Sequence, residues 1–369
     1  MIMLRNPATL LTRINRGISE DEMRENSARN AASPRVVLSL DFELRWGVHD
    51  VYSLDASGYR ENLEGERRVI PQLLTLFDAH RIRATWAAVG AIGCENWDDY
   101  FRRAPKCPKY VDSAFAVKPQ YAEIDPDGLL HFAPDLFRAI LETPGQELGT
   151  HTFSHLFLRE RGVTAQDAAA DLAAAMQLHR ERFDSVPRSL VFPRNQPAFI
   201  DVVRASTVKM WRGNASAWYY ECEDSEHNGP LPRALKLIDA FNPFTKRAAP
   251  LAGDMNRASI FLRLNLPSAA WAMHVHRIRK ELDSMAEDEI FHIWFHPHNL
   301  GRDTPCRLSR VEEIANLIAE RVSAGKLRSS CMEDLILSRG TSKSCAERAA
   351  PSAACDSDFL QTAESVPDC

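Results

Sequence analysis

The feature that most restricts how this chain can fold is a series of short apolar runs, each ending abruptly on polar residues. Arg35–Leu40 stops at Asp41-Phe42-Glu43, and Arg188–Phe192 stops at Pro193-Arg194-Asn195-Gln196. Val208–Gly213 closes on Arg212-Gly213-Asn214, and Glu289–Phe295 stops at His296-Pro297-His298-Asn299. Ile82–Val89 is a further run, and Glu147-Leu148-Gly149 leads directly into His151. Between these runs the period changes to that of helices. Val69, Ile70, Leu73, Leu74 and Phe77 share one face of a helix over 61–80. Thr164 is an N-cap for a helix reaching Phe183, whose apolar face is Ala168, Leu172, Ala175 and Met176. His179 lies on that face and is read as packed. Further helices are expected over 133–141, 273–285 and 311–322. Strand, helix and strand joined by short connections make a βαβ unit, and repeated units make a parallel α/β fold.

Domain limits follow from where this alternation begins and ends. Residues 1–33 are polar and charge-mixed and read as a flexible leader; 34–337 form one domain; 338–369 lack periodicity and read as a disordered tail. Two stretches, about 94–134 and 214–258, are irregular and rich in proline, glycine or charge, and are taken as insertions beside the site. A net charge of −5 argues against a surface built to coat nucleic acid. No apolar run is long enough to span a bilayer, and only weak peripheral membrane contact by residues 1–16 is contemplated. The eight cysteines form no Cys-x-x-Cys pair. With no export signal at the N-terminus, free thiols and a cytoplasmic location are expected.

In a parallel barrel the carboxyl ends of the strands converge on one face. That would gather Asp41 and Glu43, His151 and His155, Arg194 and Asn195, and His296, His298 and Asn299. Alternation along a strand puts Asp41 and Glu43 on the same side. One carboxylate and two imidazoles make a three-ligand divalent-metal site with an open position. A spare carboxylate can take a proton from water, and an opposing histidine can protonate a leaving group. The inventory fits hydrolysis of an amide or ester.

Asp41-Phe-Glu43, His151-Thr-Phe-Ser-His155, Phe192-Pro-Arg-Asn195 and His296-Pro-His298 together resemble the ordered motifs of the polysaccharide deacetylase superfamily, over roughly residues 35–335. The resemblance implies a distorted (β/α) barrel of seven or eight parallel strands and a metal-dependent N-deacetylase of acetylated amino sugars. It implies His151 and His155 as metal ligands, Asp41 as catalytic base, Arg194 as the residue orienting that base, and His296 as general acid. Many members have two adjacent aspartates; the Asp-x-Glu spacing resembles branches in which the second acid binds metal. Glu43 is therefore assigned to the metal and Asp41 to proton transfer, with the reverse left open. The surround Arg45-Trp46-Gly47 resembles a sub-branch among bacterial surface-glycan biosynthesis proteins.

Zinc is the ion expected from a His/carboxylate set. Asn195, His298, Asn299 and Trp46 are candidate substrate contacts, Trp46 because aromatic faces stack on sugar rings. The expected substrate is an acetylated amino sugar, linked to a nucleotide, a lipid carrier or a polymer. A deformylase and a cyclic-imide or allantoin-type amidohydrolase use the same chemistry. A glycan-binding protein that kept the fold without turnover is the alternative of another class.

Overall fold

The computed structural model describes residues 33–52, 59–220, 229–242 and 244–336. The expected leader, 1–33, apart from its last residue, the expected tail, 338–369, and any contact by residues 1–16 lie outside the described residues.

β1 (Arg35–Phe42) is the centre of the sheet. All eight residues are buried, as expected of a strand covered on both faces. It pairs in parallel with β2 (Ala84–Ala88) on one edge and β9 (Glu289–Phe295) on the other. β10 (Arg328–Ser330) pairs in parallel with the start of β1. From β2 the sheet continues in parallel through β3 (Gln146–Thr150), β4 (Ser189–Val191) and β5 (Met210–Gly213) to β7 (Met255–Arg257). Just beyond β7, β8 (Ile260–Phe261) pairs in parallel with β9. One bent segment thus reaches from β5 to β9 and nearly closes the ring. β6 (Ala249–Pro250) adds a short antiparallel contact to β9. The architecture is a distorted (β/α) barrel.

Helices pack outside the staves. The Arg60–Ala79 helix buries Val69, Ile70, Leu73, Leu74 and Phe77 against the sheet, on the face the periodicity indicates. The Ala165–Phe183 helix opens with a reciprocal capping box between Thr164 and Asp167. His179 on this helix is fully buried, and burial pushes its imidazole down to about 3. The Ser268–Ser284 helix starts before the expected residue 273, and the Thr304–Ser323 helix before 311.

The stretch 94–134 carries the short Trp97–Arg103 and Tyr121–Ile124 helices and an aromatic cluster. Residues 214–258 are less irregular than expected. They contain the Pro230–Asp239 helix, β6 and β7, and β7 is a stave of the barrel. Met-Asn-Arg is too short to show a period and has only Met255 as an apolar residue, so it leaves no strand signal. Cys94, Cys107, Cys306 and Cys331 are free thiols. Among the described residues no helix is long and apolar enough to cross a membrane.

Candidate metal centre and catalytic site

Because β1, β3, β4, β5 and β9 run in parallel, their carboxyl ends open onto one face. Asp41 lies within β1, and Glu43 follows it at the turn into the Leu44–Gly47 3-10 helix. Leu44 takes the left-handed φ of 45°, which turns the chain directly after Glu43. The Glu43 side chain folds back over Gly47, where an added Cβ would lie 2.0 Å from Oε2. Only glycine leaves room for that carboxylate.

His151 follows β3. Its Nδ1 is 2.8 Å from the Val191 carbonyl, which can only accept, so Nδ1 carries the hydrogen. Its Nε2 then faces Glu43 Oε1 at 3.0 Å, and His155 Nε2 stands 3.3 Å from the same oxygen. A nitrogen lone pair pointed at an anionic oxygen needs positive charge between them, supplied by a proton or a metal ion. Burial pushes His155 down to about 4 despite Glu43, so it is a neutral imidazole at neutral pH. Around a tetrahedral ion with bonds of about 2.1 Å, neighbouring ligand atoms lie about 3.4 Å apart. The two N–O spacings match that edge, the three ligand atoms lie within 4.8 Å of one another, and Glu43, His151 and His155 fit a divalent ion.

The loop carrying the two histidines is held from outside the site. Thr152 and His155 have φ of 66° and 56°. Asp171, on the Ala165–Phe183 helix, accepts from the backbone N–H groups of Phe153 at 2.6 Å and Ser154 at 3.2 Å, and from the Ser154 hydroxyl. Thr152 Oγ1 accepts from the Leu156 N–H at 2.9 Å. Four hydrogen bonds thus fix a strained turn. The signal for Asp171 in the sequence is an acid beside Leu172 on an apolar helix face.

Asp41 is held by a different arginine from the one expected. Arg212, in β5, donates Nη1 to Oδ1 at 2.7 Å and Nη2 to Oδ2 at 2.6 Å. The guanidinium is fully buried. It also reaches Ser39 Oγ at 2.9 Å and Asn195 Oδ1 at 2.7 Å, and lies 4.3 Å over the Trp294 ring. Burial alone would raise the Asp41 carboxyl. The Arg212 charge and hydrogen bonds, with His296 and His151, overcome that and hold it below the ordinary carboxylate range. Burial acts likewise on Glu43, where His296, His151 and His155 hold the carboxyl well below its ordinary value.

Arg194 does not reach Asp41. It pairs with Asp50 and with Glu160 at 3.2 Å, and lies 4.2 Å over the Phe157 ring. Left-handed φ values of 55° at Arg194 and 54° at Asn195 explain the exchange: the turn after β4 sends the guanidinium to the rim and the Asn195 amide inward to Arg212. A lone arginine inside the buried Trp211-Arg212-Gly213 run was the signal for Arg212.

His296, at the end of β9, places Nε2 3.6 Å from Glu43 Oε1 and 3.7 Å from Asp41 Oδ2. Its side chain is 21% exposed, which makes it the accessible member of the group. His298 stacks on it with ring centroids 4.8 Å apart, is itself buried, and is pushed down to about 3 by burial and the neighbouring His296. The half-buried Asn299 stands in the following turn, its backbone N–H on the His296 carbonyl.

Trp46 is not placed to stack on a sugar. It is 1% exposed, donates Nε1 to the His131 carbonyl at 2.8 Å, and packs against Trp97, Tyr100 and Phe132. The aromatic residues beside His296 are Trp294 and Phe261, with ring centroids 5.6 and 5.8 Å from it. Both line a cavity of about 670 Å³ that also takes in Asn195 and the rim around Arg194. Asp41, Glu43, His151, His155 and His296 are not part of its wall. The cavity adjoins the site at Trp294 and Asn195.

No family model matches the chain, and no curated protein matches it by sequence. Solved structures do resemble it. A protein from Mycobacterium smegmatis assigned as a polysaccharide deacetylase aligns with 89% of this chain and 96% of its own, at 13% identity and a TM-score of 0.51. The Puue allantoinase aligns with 84% of this chain and 90% of its own, at 12% identity and a TM-score of 0.50. At these identities the likeness is one of fold: the chain has the barrel fold of those two proteins.

Proposed function

We propose that the chain is a metal-dependent hydrolase that removes an N-acyl group, acetyl in the first instance, from an amino sugar. The observation that carries this is the convergence of Glu43, His151 and His155 on one point, with Asp41 and His296 beside it. A binding protein has no use for a buried, arginine-held carboxylate set next to an accessible imidazole.

A divalent ion held by Glu43, His151 and His155 supplies Lewis-acid polarisation and a nucleophilic water at neutral pH, and zinc suits the donor set. Asp41 accepts the proton of the attacking water. Arg212 keeps that carboxylate ionised and fixes its orientation through two hydrogen bonds. As the carbon–nitrogen bond breaks, His296 gives a proton from Nε2 to the departing amine, and the acyl group leaves as the carboxylate. His298, stacked against His296, holds that ring in place. Trp294 and Phe261 wall the site on the cavity side. A formyl group would be removed by the same steps. A cyclic amide could also be opened, but a cavity of about 670 Å³ is far larger than such a small ring requires.

The test is release of acetate or formate from a panel of N-acylated amino sugars by the zinc-loaded chain. The expected result is turnover that Asp41→Asn reduces by about 10²–10⁴-fold. Stoichiometric metal with no turnover on any amide would overturn the hydrolase reading in favour of a glycan binder.

A further inference from the structure

Among the described residues, the wall of the cavity beside His296 contains Arg194, Arg233, Lys236 and Arg263 and one carboxylate, Asp50. Asp50 is already engaged by Arg194, whose other ion-pair partner is Glu160. Arg233 and Lys236 stand three residues apart on the Pro230–Asp239 helix, so they share a face, an arrangement that like charges disfavour. The acid at the end of that helix, Asp239, is turned to Arg247 at 2.9 Å and to the Tyr220 hydroxyl at 2.9 Å.

Arg263 is the most telling member. It follows β8, is half-buried, and has no carboxylate within ion-pair distance among the described residues. Its Nε is buried without a hydrogen-bond partner. Its guanidinium carbon lies 5.8 Å from the centroid of the Phe261 ring. A partly desolvated guanidinium with an unfilled buried donor is stabilised by an anion that completes it. The cation-rich wall and the catalytic group meet at Trp294 and Phe261. A substrate with its amide at Asp41 and His296 can therefore extend its far end to Arg263.

We propose that this cavity seats a phosphate group carried by the acylated amino sugar, with Arg263 as the principal contact and Arg233 and Lys236 adding charge. Several cations on one cavity wall suit a multiply charged anion better than a single carboxylate, and guanidinium groups bind phosphate through paired N–H donors. The inference rests on the hydrolase reading for where the amide lies. The phosphate contact itself is measured by binding alone. Nucleotide-linked and lipid-linked sugars share this chemistry.

The experiment is calorimetric titration of the zinc-loaded chain with four ligands bearing an N-acetyl sugar. These are neutral diacetylchitobiose, UDP-N-acetylglucosamine, a water-soluble short-chain prenyl-diphosphate N-acetylglucosamine, and the carboxylated N-acetylmuramic acid. The diphosphate ligands are expected to bind at least about tenfold more tightly than chitobiose, as charge-assisted hydrogen bonds allow. That advantage should shrink as salt rises from about 0.05 M to about 0.3 M, since part of the site is open to solvent. Arg263→Ala should remove most of the advantage and leave chitobiose binding unchanged. Arg233→Ala should remove less, and Arg263→Lys should restore part of it. A phosphate bound through the metal would not respond to Arg263, so the variants separate the two modes. Preference between the two diphosphates identifies the source.

Equal affinity for all four ligands, an advantage that survives both alanine variants, or a match by the carboxylated sugar would overturn the proposal. Acetate release is followed in parallel. A phosphate advantage without acetate release would sink the hydrolase reading and keep the phosphate site. Release from chitobiose without a phosphate advantage would do the reverse.

Discussion

Replacing Arg212 with methionine separates the two arginines that compete for the role of holding the base. Asp41 and Arg212 are 2% and 1% exposed, and they share two charge-assisted hydrogen bonds of 2.7 and 2.6 Å. Removing one partner of a buried pair leaves an uncompensated charge, at a cost of about 3–5 kcal/mol. The sign of the pH effect follows from the depressed Asp41 carboxyl. A carboxyl whose folded value lies below its unfolded one adds stability above the unfolded value, and that stability is lost as pH falls through the folded value. Without Arg212, burial prevails and the carboxyl rises. Urea denaturation of the metal-free protein should show a stability loss in Arg212→Met, and the acid limb of kcat/KM should move to higher pH. Asp41→Asn combined with Arg212→Met should lose less than the sum of the two, because no unpaired buried charge remains. Arg194→Met, at the rim, should leave the acid limb where it is. The reasoning fails if Arg212→Met leaves that limb unmoved, or if Arg194→Met moves it.

Two other substitutions test the supports of the metal ligands. Asp171→Ala should leave the Phe153 and Ser154 N–H groups without an acceptor, cost about 1–3 kcal/mol, and weaken metal affinity about 10–100-fold, as read by chelator competition. Unchanged affinity would mean the histidine turn holds without that clamp. Gly47→Ala puts a Cβ against Glu43 Oε2 and should also weaken metal binding about 10–100-fold without touching the ion. Wild-type affinity in this variant would show that Glu43 is not the ligand.

Strands and motifs were legible where chemistry is local. β1 is a continuous apolar run that stops on acids, and β9 was bounded to the residue by Glu289–Phe295. Thr164, read as an N-cap, stands immediately before its helix. What stayed hidden depends on contacts distant in sequence. β7 is three residues long and partly polar, and becomes a stave only because β5 offers it an edge. Arg194 follows a strand end in the manner of a site residue, yet two left-handed residues turn it to the rim. Arg212 carries the same charge eighteen positions later and reaches Asp41 because its strand lies across the barrel from β1. Trp46 follows the acids closely enough to look like a sugar platform, but the aromatic residues of the 94–134 stretch bury it. Ser39 and His292, hydrogen-bonded at 2.7 Å behind the base, carry no signal in their own segments.

The central claim is that Glu43, His151 and His155 share one ion while Asp41 does not bind it. Metal content after zinc loading and gel filtration, measured by mass spectrometry on wild type, Glu43→Ala, His155→Ala and Asp41→Asn, tests it most directly. The account predicts one zinc per chain in wild type and in Asp41→Asn, and loss of zinc from the other two. Zinc lost from Asp41→Asn but kept by Glu43→Ala would contradict it.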